Sequence, residues 1–337
     1  MSLKTGWPDP LIRGLRTTLR SAATLLFLTA VMSCAKPAPI VDLNRQTLFV
    51  SEGDTPLHVH APSFVIDQPP KDYNLIGTPT ATLQENGNEL IFIDPSKATL
   101  YAEERSFQTA RGDYRNLIYR VHFEKVPARH LVAGKNIGLI VVVTLNRDDQ
   151  PVLVTVVHTC GCYLGIIPTS YLDDAALPEG WDRTAMQNIY GEQLPGNLDF
   201  GDSDLRDTRI MLLLADGTHR ASNVWLQAAT ELPAGAMTPM ALAPLDSLAR
   251  LKLANGGTTS FFETEGSRKG LVKGSSKPWE RLFMSWWALA WNIGVDKKLG
   301  VDATDGDTFY TSLKPWARDD SDMRDFRRFL EYWGWKL

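Results

Sequence analysis

Residues 138–163 read GLIVVVTLNRDDQPVLVTVVHTCGCY. Two nearly uniform apolar runs, GLIVVVTLN and PVLVTVVH, flank the polar turn RDDQ. That pattern predicts a hairpin whose strands sit at the centre of a sheet rather than at an edge. Alternate side chains of an extended strand share a face, so Val152, Val154, Val156, His158, Cys160 and Cys162 are expected on one side. Soft ligands then crown a hydrophobic strand. Same-face neighbours are about 6.5 to 7 Å apart, near enough for an imidazole and a thiolate to converge on one ion. Gly161 lets the chain bend between the thiols.

Working outward, Asn116–Lys125 alternates, with Leu117, Tyr119, Val121 and Phe123 on one face and Arg120, His122 and Glu124 on the other. Further short runs at 57–66, 89–93, 99–105, 209–215 and 222–228 are separated by Gly, Pro, Asn and Asp. Residues 48–235 are therefore expected to form an antiparallel β-rich sandwich or irregular barrel. From about Met237 the period becomes helical. Residues 244–253 predict a short helix, and 278–299 a long one opened by Pro278. On the long helix Trp286, Trp287, Leu289, Trp291 and Ile293 cover most of the circumference, which predicts a mostly buried element. A last helix is expected from about Asp319–Ser321, with Met323, Phe326, Phe329, Leu330 and Trp333 on one side. Strands first and helices last make the fold class α+β, with residues 236–337 a helical region packed on the sheet.

The 337 residues are 44% hydrophobic and 22% charged, ordinary for a folded chain, and a net charge of −4 argues against nucleic acid as a partner. Phosphate-loop, dinucleotide, serine-hydrolase and covalent-haem motifs are absent, so no nucleotide or haem is expected and no catalytic class gains support. Of ten tryptophans, seven lie from Trp279 onward. The basic loop with Arg268, Lys269, Lys273 and Lys277 beside Trp279 has the composition of a membrane-interface element. A core helix with a solvated loop is the expected reading, because the helix is apolar on too many sides to lie half in water. Asp302, Asp305 and Asp307 are expected to form a solvated turn rather than a calcium loop.

At the N-terminus, Arg13, Arg16 and Arg20 precede an apolar stretch from Ala22 to Val31, and Ser33 precedes Cys34. The stretch is shorter than the roughly 20 residues a spanning helix needs. Val31-Met32-Ser33-Cys34 resembles the lipobox of bacterial lipoproteins, a resemblance confined to the first 34 residues. It implies a signal peptide over 1–33, acylation of Cys34 and a tether over 34–47. It also implies a lipid-anchored protein on the periplasmic face of the bacterial outer membrane, because Ala35 rather than an aspartate follows the cysteine. The inner membrane is the alternative.

Acylation of Cys34 would leave Cys160 and Cys162 as an even pair. The leading expectation is a zinc or copper site built from His158, Cys160 and Cys162 and joined by His58 and His60, an alternate-residue pair on one strand face that otherwise reads as exposed hydrogen-bonding residues of an outer strand. The alternative is an envelope interaction or structural lipoprotein, partnered by another envelope protein, in which a Cys160–Cys162 disulfide staples a loop. Thiol exchange through a Cys-Gly-Cys disulfide is the third reading.

Overall fold

The computed structural model describes residues 41–337 apart from 68 and 69. The expected signal peptide, Cys34 and most of the expected tether lie outside the described residues. Strands dominate. The larger sheet has the order β15-β5-β6-β7-β8-β9, built from β5 (Thr99–Thr109), β6 (Gly112–Val126), β7 (Gly134–Leu145), β8 (Pro151–His158), β9 (Leu164–Pro168) and β15 (Ala241–Pro244). It is an antiparallel meander except that β15 runs parallel to β5.

The second sheet has the order β13-β12-β2-β1-β14, from β1 (Gln46–Val50), β2 (Ser63–Asp67), β12 (Thr208–Leu214), β13 (Ala221–Ala228) and β14 (Met237–Pro239). Three ribbons complete the strands: β3 (Thr78–Leu83) with β4 (Glu89–Asp94), β10 (Gln187–Ile189) with β11 (Glu192–Leu194), and β16 (Leu251–Lys252) with β17 (Thr258–Thr259). Neither sheet closes into a barrel. Three of the outermost strands, β9, β14 and β15, end at Pro168, Pro239 and Pro244.

The two sheets share one core. Phe49, Phe64, Leu212 and Val224 from the second sheet meet Tyr119, Val121, Val141, Val154 and Val156 from the first. On the other face of the six-stranded sheet, Ile118, Ile140, Val142, Leu153 and Ile166 lie under Phe309, Met323, Phe329, Leu330 and Trp335. Apolar contact on both faces is why β7 and β8 read as continuous hydrophobic runs rather than alternating ones.

The strand expected at 57–66 is replaced by one helical turn, Pro56–Val59, before β2 begins at Ser63. Pro56 occupies the first helical position, where its missing N–H costs nothing, and Thr55 Oγ1 lies 2.7 Å from His58 Nδ1. The helix expected at 244–253 is a 3-10 turn, Leu245–Ala249, followed by β16.

The long helix expected at 278–299 stops at Met284. Trp286 and Leu289 are each 73% exposed, Trp291 67% and Trp287 45%, so of the residues expected to be buried here only Ile293 is. The chain beyond Met284 turns twice through left-handed conformations, at Leu289 (φ 50) and Gly294 (φ 72). A Cβ at Gly294 would stand 1.6 Å from Glu280 Oε2, so only glycine fits that return. The last helix begins later than expected, at Phe326, where the Asp325 carboxylate accepts the Arg328 N–H (3.1 Å). Helix is thus a minor part of the C-terminal third, whose residues 237–239 and 241–244 supply a strand to each sheet.

Candidate metal or thiol centre

Strands β8 and β9 form a second hairpin, pairing Val157 with Leu164, and the His158 N–H donates to the Tyr163 carbonyl (3.1 Å). The hairpin tip is Thr159-Cys160-Gly161-Cys162. Gly161 has φ 80, its N–H donates to the His158 carbonyl (2.7 Å), and a Cβ there would stand 2.1 Å from the Tyr310 carbonyl oxygen. Strand alternation, expected to align the thiols, ends at His158. The cysteines meet through the turn instead, and Cys160 and Cys162 are joined as a disulfide.

His158 Nδ1 lies 4.0 Å from Cys162 Sγ. One ligand atom each from His158, Cys160 and Cys162 falls within 4.8 Å of the others, a group that could hold a metal ion. His58 and His60 are not brought to it. His58 sits in the helical turn against Thr55. His60 is buried near Asp149 and Arg115, at the Asn146–Gln150 turn end of the β7–β8 hairpin. Asp149 and His158 lie at opposite ends of β8, separated by roughly 25 Å of strand.

A buried polar scaffold holds the hairpin tip. The Thr159 N–H donates to the Gly138 carbonyl (3.0 Å), and the Lys297 N–H donates to the Thr159 carbonyl (2.8 Å). Lys297 Nζ donates to the Cys160 carbonyl (3.0 Å), and Arg120 Nη1 donates to the Lys297 carbonyl (2.8 Å). The Asp296 carboxylate accepts from the Thr159 hydroxyl and from the Ser275 hydroxyl (3.0 Å), with Lys277 Nζ 3.9 Å away. Arg120, Thr159, Ser275, Lys277, Asp296 and Lys297 are all buried. Each charge is therefore held by hydrogen bonds or an opposite charge, as low-dielectric surroundings require.

Electrostatics at the tip are positive. Burial first, then Lys277 and Arg220, hold the His158 imidazole well below the usual histidine range, so it is neutral. Burial pulls the Arg120 guanidinium down to about 9 against the opposing pull of Asp296. Burial pushes the Glu280 carboxyl up, with Lys277 opposing. A thiolate formed here meets cationic neighbours that stabilise it, whereas a divalent cation meets the same charges as repulsion until both thiols ionise.

The two sulfurs are not equivalent. Cys160 is 2% exposed, whereas Cys162 is half-buried and lines a groove of about 210 Å³ with Leu164, Trp181, Tyr190, Trp333 and Trp335. The Cys162 N–H donates to Cys160 Sγ (3.3 Å), which favours negative charge on Cys160. Sequence reading missed Asp296 and Lys297 as supports of the tip and the groove aromatics as its wall. Asp296 reaches Thr159 across 137 positions, so no local pattern marks the contact.

Of the other acidic groups, Asp302 accepts the Thr304 N–H (2.7 Å) and Asp305 pairs with Lys298 (2.5 Å), closing the turn on itself. The chain matches no family model, no curated protein and no solved structure.

Proposed function

We propose that this is a lipid-anchored envelope protein whose Cys160–Cys162 pair is a thiol–disulfide exchange site. The carrying observation is the unequal placement of the sulfurs, one covered and one at an aromatic groove. A partner thiolate attacks Cys162 Sγ, the bond between the two sulfurs breaks, and its electron pair leaves on Cys160 Sγ. A second partner thiolate then attacks the mixed disulfide, releasing Cys162 as thiolate and leaving the partner oxidised by two electrons. The Cys162 N–H and the cationic surroundings favour the departing Cys160 thiolate. The anchor rests on the Val31–Cys34 resemblance.

Thiol counting on folded protein from Ala35 onward tests this reading. The expected result is no free thiol until dithiothreitol is added, then two without loss of fold. With Cys160→Ser, the remaining Cys162 should form a mixed disulfide with oxidised glutathione, on the order of tenfold faster than Cys160 does in Cys162→Ser. A disulfide that dithiothreitol reduces only in denaturant would make the pair a structural staple and the reading wrong.

A second reading is a zinc or copper site in the reduced protein, favoured by the 4.8 Å spacing of the His158, Cys160 and Cys162 ligand atoms. The sulfurs cannot be bonded to each other and ligate as two thiolates, so the two readings occupy different oxidation states. Zn²⁺ or Cu⁺ at a hundredfold excess over its dissociation constant should stabilise the reduced protein by about 2.7 kcal/mol. No stabilisation of the reduced protein by either ion removes this reading.

A further inference from the structure

From Trp279 to Trp291 the chain holds out Trp279, Leu282, Phe283, Trp286, Trp287, Leu289 and Trp291, each between 43% and 73% exposed. At about 200 to 250 Å² per fully exposed ring, the five aromatics alone leave on the order of 650 Å² in water. The largest apolar patch of an ordinary monomer is a few hundred Å². The side chains are continuous rather than scattered: Trp279 stacks on Phe283 (6.4 Å), and Leu282, Arg281 and Trp291 line one hollow of about 580 Å³. Leu289, one of the two most exposed of these, is carried out at φ 50, a conformation uncommon for any residue but glycine.

Basic residues outnumber acidic ones around this face. From Gly266 to Val301 there are seven lysines and arginines and two acids, Glu280 and Asp296, and both acids are buried. Lys277 points inward to Asp296 and Lys273 is paired with Glu89. Lys297 is buried and Lys298 pairs with Asp305. Arg281 and Lys269 remain at the surface, Arg281 over the Trp291 ring at 3.8 Å and Lys269 with its Nζ donating to the Thr304 carbonyl (3.0 Å), and Arg268 faces the same hollow while meeting Glu263 at 3.6 Å. Indole rings belong at the boundary between headgroups and acyl chains, and guanidinium and ammonium groups belong on anionic headgroups. No helix among the described residues is long and apolar enough to cross a membrane.

We infer that the Trp279–Trp291 face docks on an anionic phospholipid bilayer surface, with Trp286 and Leu289 inserted at the boundary and Arg281 and Lys269 on the headgroups. This is independent of the thiol site and does not need the Cys34 anchor. The test uses protein from Ala35 onward, which contains every described residue and no lipid. It should sediment with vesicles of equal parts phosphatidylglycerol and phosphatidylcholine, with a blue shift of tryptophan fluorescence, and much less with phosphatidylcholine alone. Rising salt should weaken it. Trp286→Ser/Leu289→Ser should cut binding on the order of tenfold at an unchanged melting temperature. Arg281→Glu/Lys269→Glu, which keeps every apolar side chain of the face, should also lose binding to the anionic vesicles. The inference is overturned by no binding to the anionic vesicles, by equal binding to both vesicle types, or by variants that bind like wild type. Self-association relieved by the Trp286→Ser/Leu289→Ser pair without vesicle binding would assign the face to a second copy instead.

Discussion

Replacing Asp296 by alanine tests whether the buried scaffold holds the hairpin tip. Asp296 is 1% exposed, accepts from the Thr159 and Ser275 hydroxyls, and is the carboxylate beside Lys277, itself 4% exposed. Removing one partner of a buried charge pair leaves the other unpaired, which costs about 3 to 5 kcal/mol, most of it from the stranded ammonium. Lys277→Met alone should cost a similar amount, by stranding the carboxylate. The double variant should recover much of the loss, so the two changes are expected to be non-additive by about 1 to 3 kcal/mol. Urea unfolding of the four proteins measures the coupling. Because the Thr159 hydroxyl keeps only the Gly138 carbonyl (3.0 Å) as acceptor, Asp296→Ala should also speed reduction of Cys160–Cys162 by dithiothreitol in the folded state. A loss under about 1 kcal/mol, or simple additivity, would refute the view that this pair anchors the site.

Three further outcomes follow from other parts of the molecule. Burial holds His60 down to about 4 in the folded chain, so protons bind the unfolded chain first below the ordinary histidine value of about 6.5. Stability is therefore lost as pH falls from about 6.5 towards 4, and His60→Gln should lessen the slope of urea-derived stability against pH in that window, while the buried His122, His158 and His219 keep their own contributions. Gly161→Ala places a Cβ against the Tyr310 carbonyl at a positive φ, and should cost about 2 to 4 kcal/mol by the same denaturation assay. A near-neutral result would mean the tip is not seated on residue 310. Cys34→Ser should move the protein from the membrane to the soluble periplasmic fraction on cell fractionation, unless the tryptophan face alone retains it.

What was legible in the sequence was the sheet centre. Alternation over 116–125 and the two apolar runs that became β7 and β8 were read because burial on one face or both leaves a direct imprint on period. His158 with its cysteines was legible as a cluster, but not its geometry. A turn closed by Gly161 brings the thiols together, and the supports arrive from residues 275–297. The His58 reading failed because alternate spacing was weighed above Thr55-Pro56, a helix-start signal present in the sequence. The tryptophan-rich segment failed for another reason. Apolar side chains around a whole helical circumference imply a core only if the helix continues, and here it stops after seven residues.

The prolines that close β9, β14 and β15 bear on crowding. A sheet's outer strand offers unsatisfied amides to any neighbour, and identical chains held side by side in a plane meet one another far more often than in solution. Pro168, Pro239 and Pro244 each remove one amide from three of the outer edges, and the Gln187 side chain occupies the Ile166 carbonyl on β9 (3.3 Å). Strand-to-strand aggregation at high surface density is thereby disfavoured on those edges without any repulsive charge.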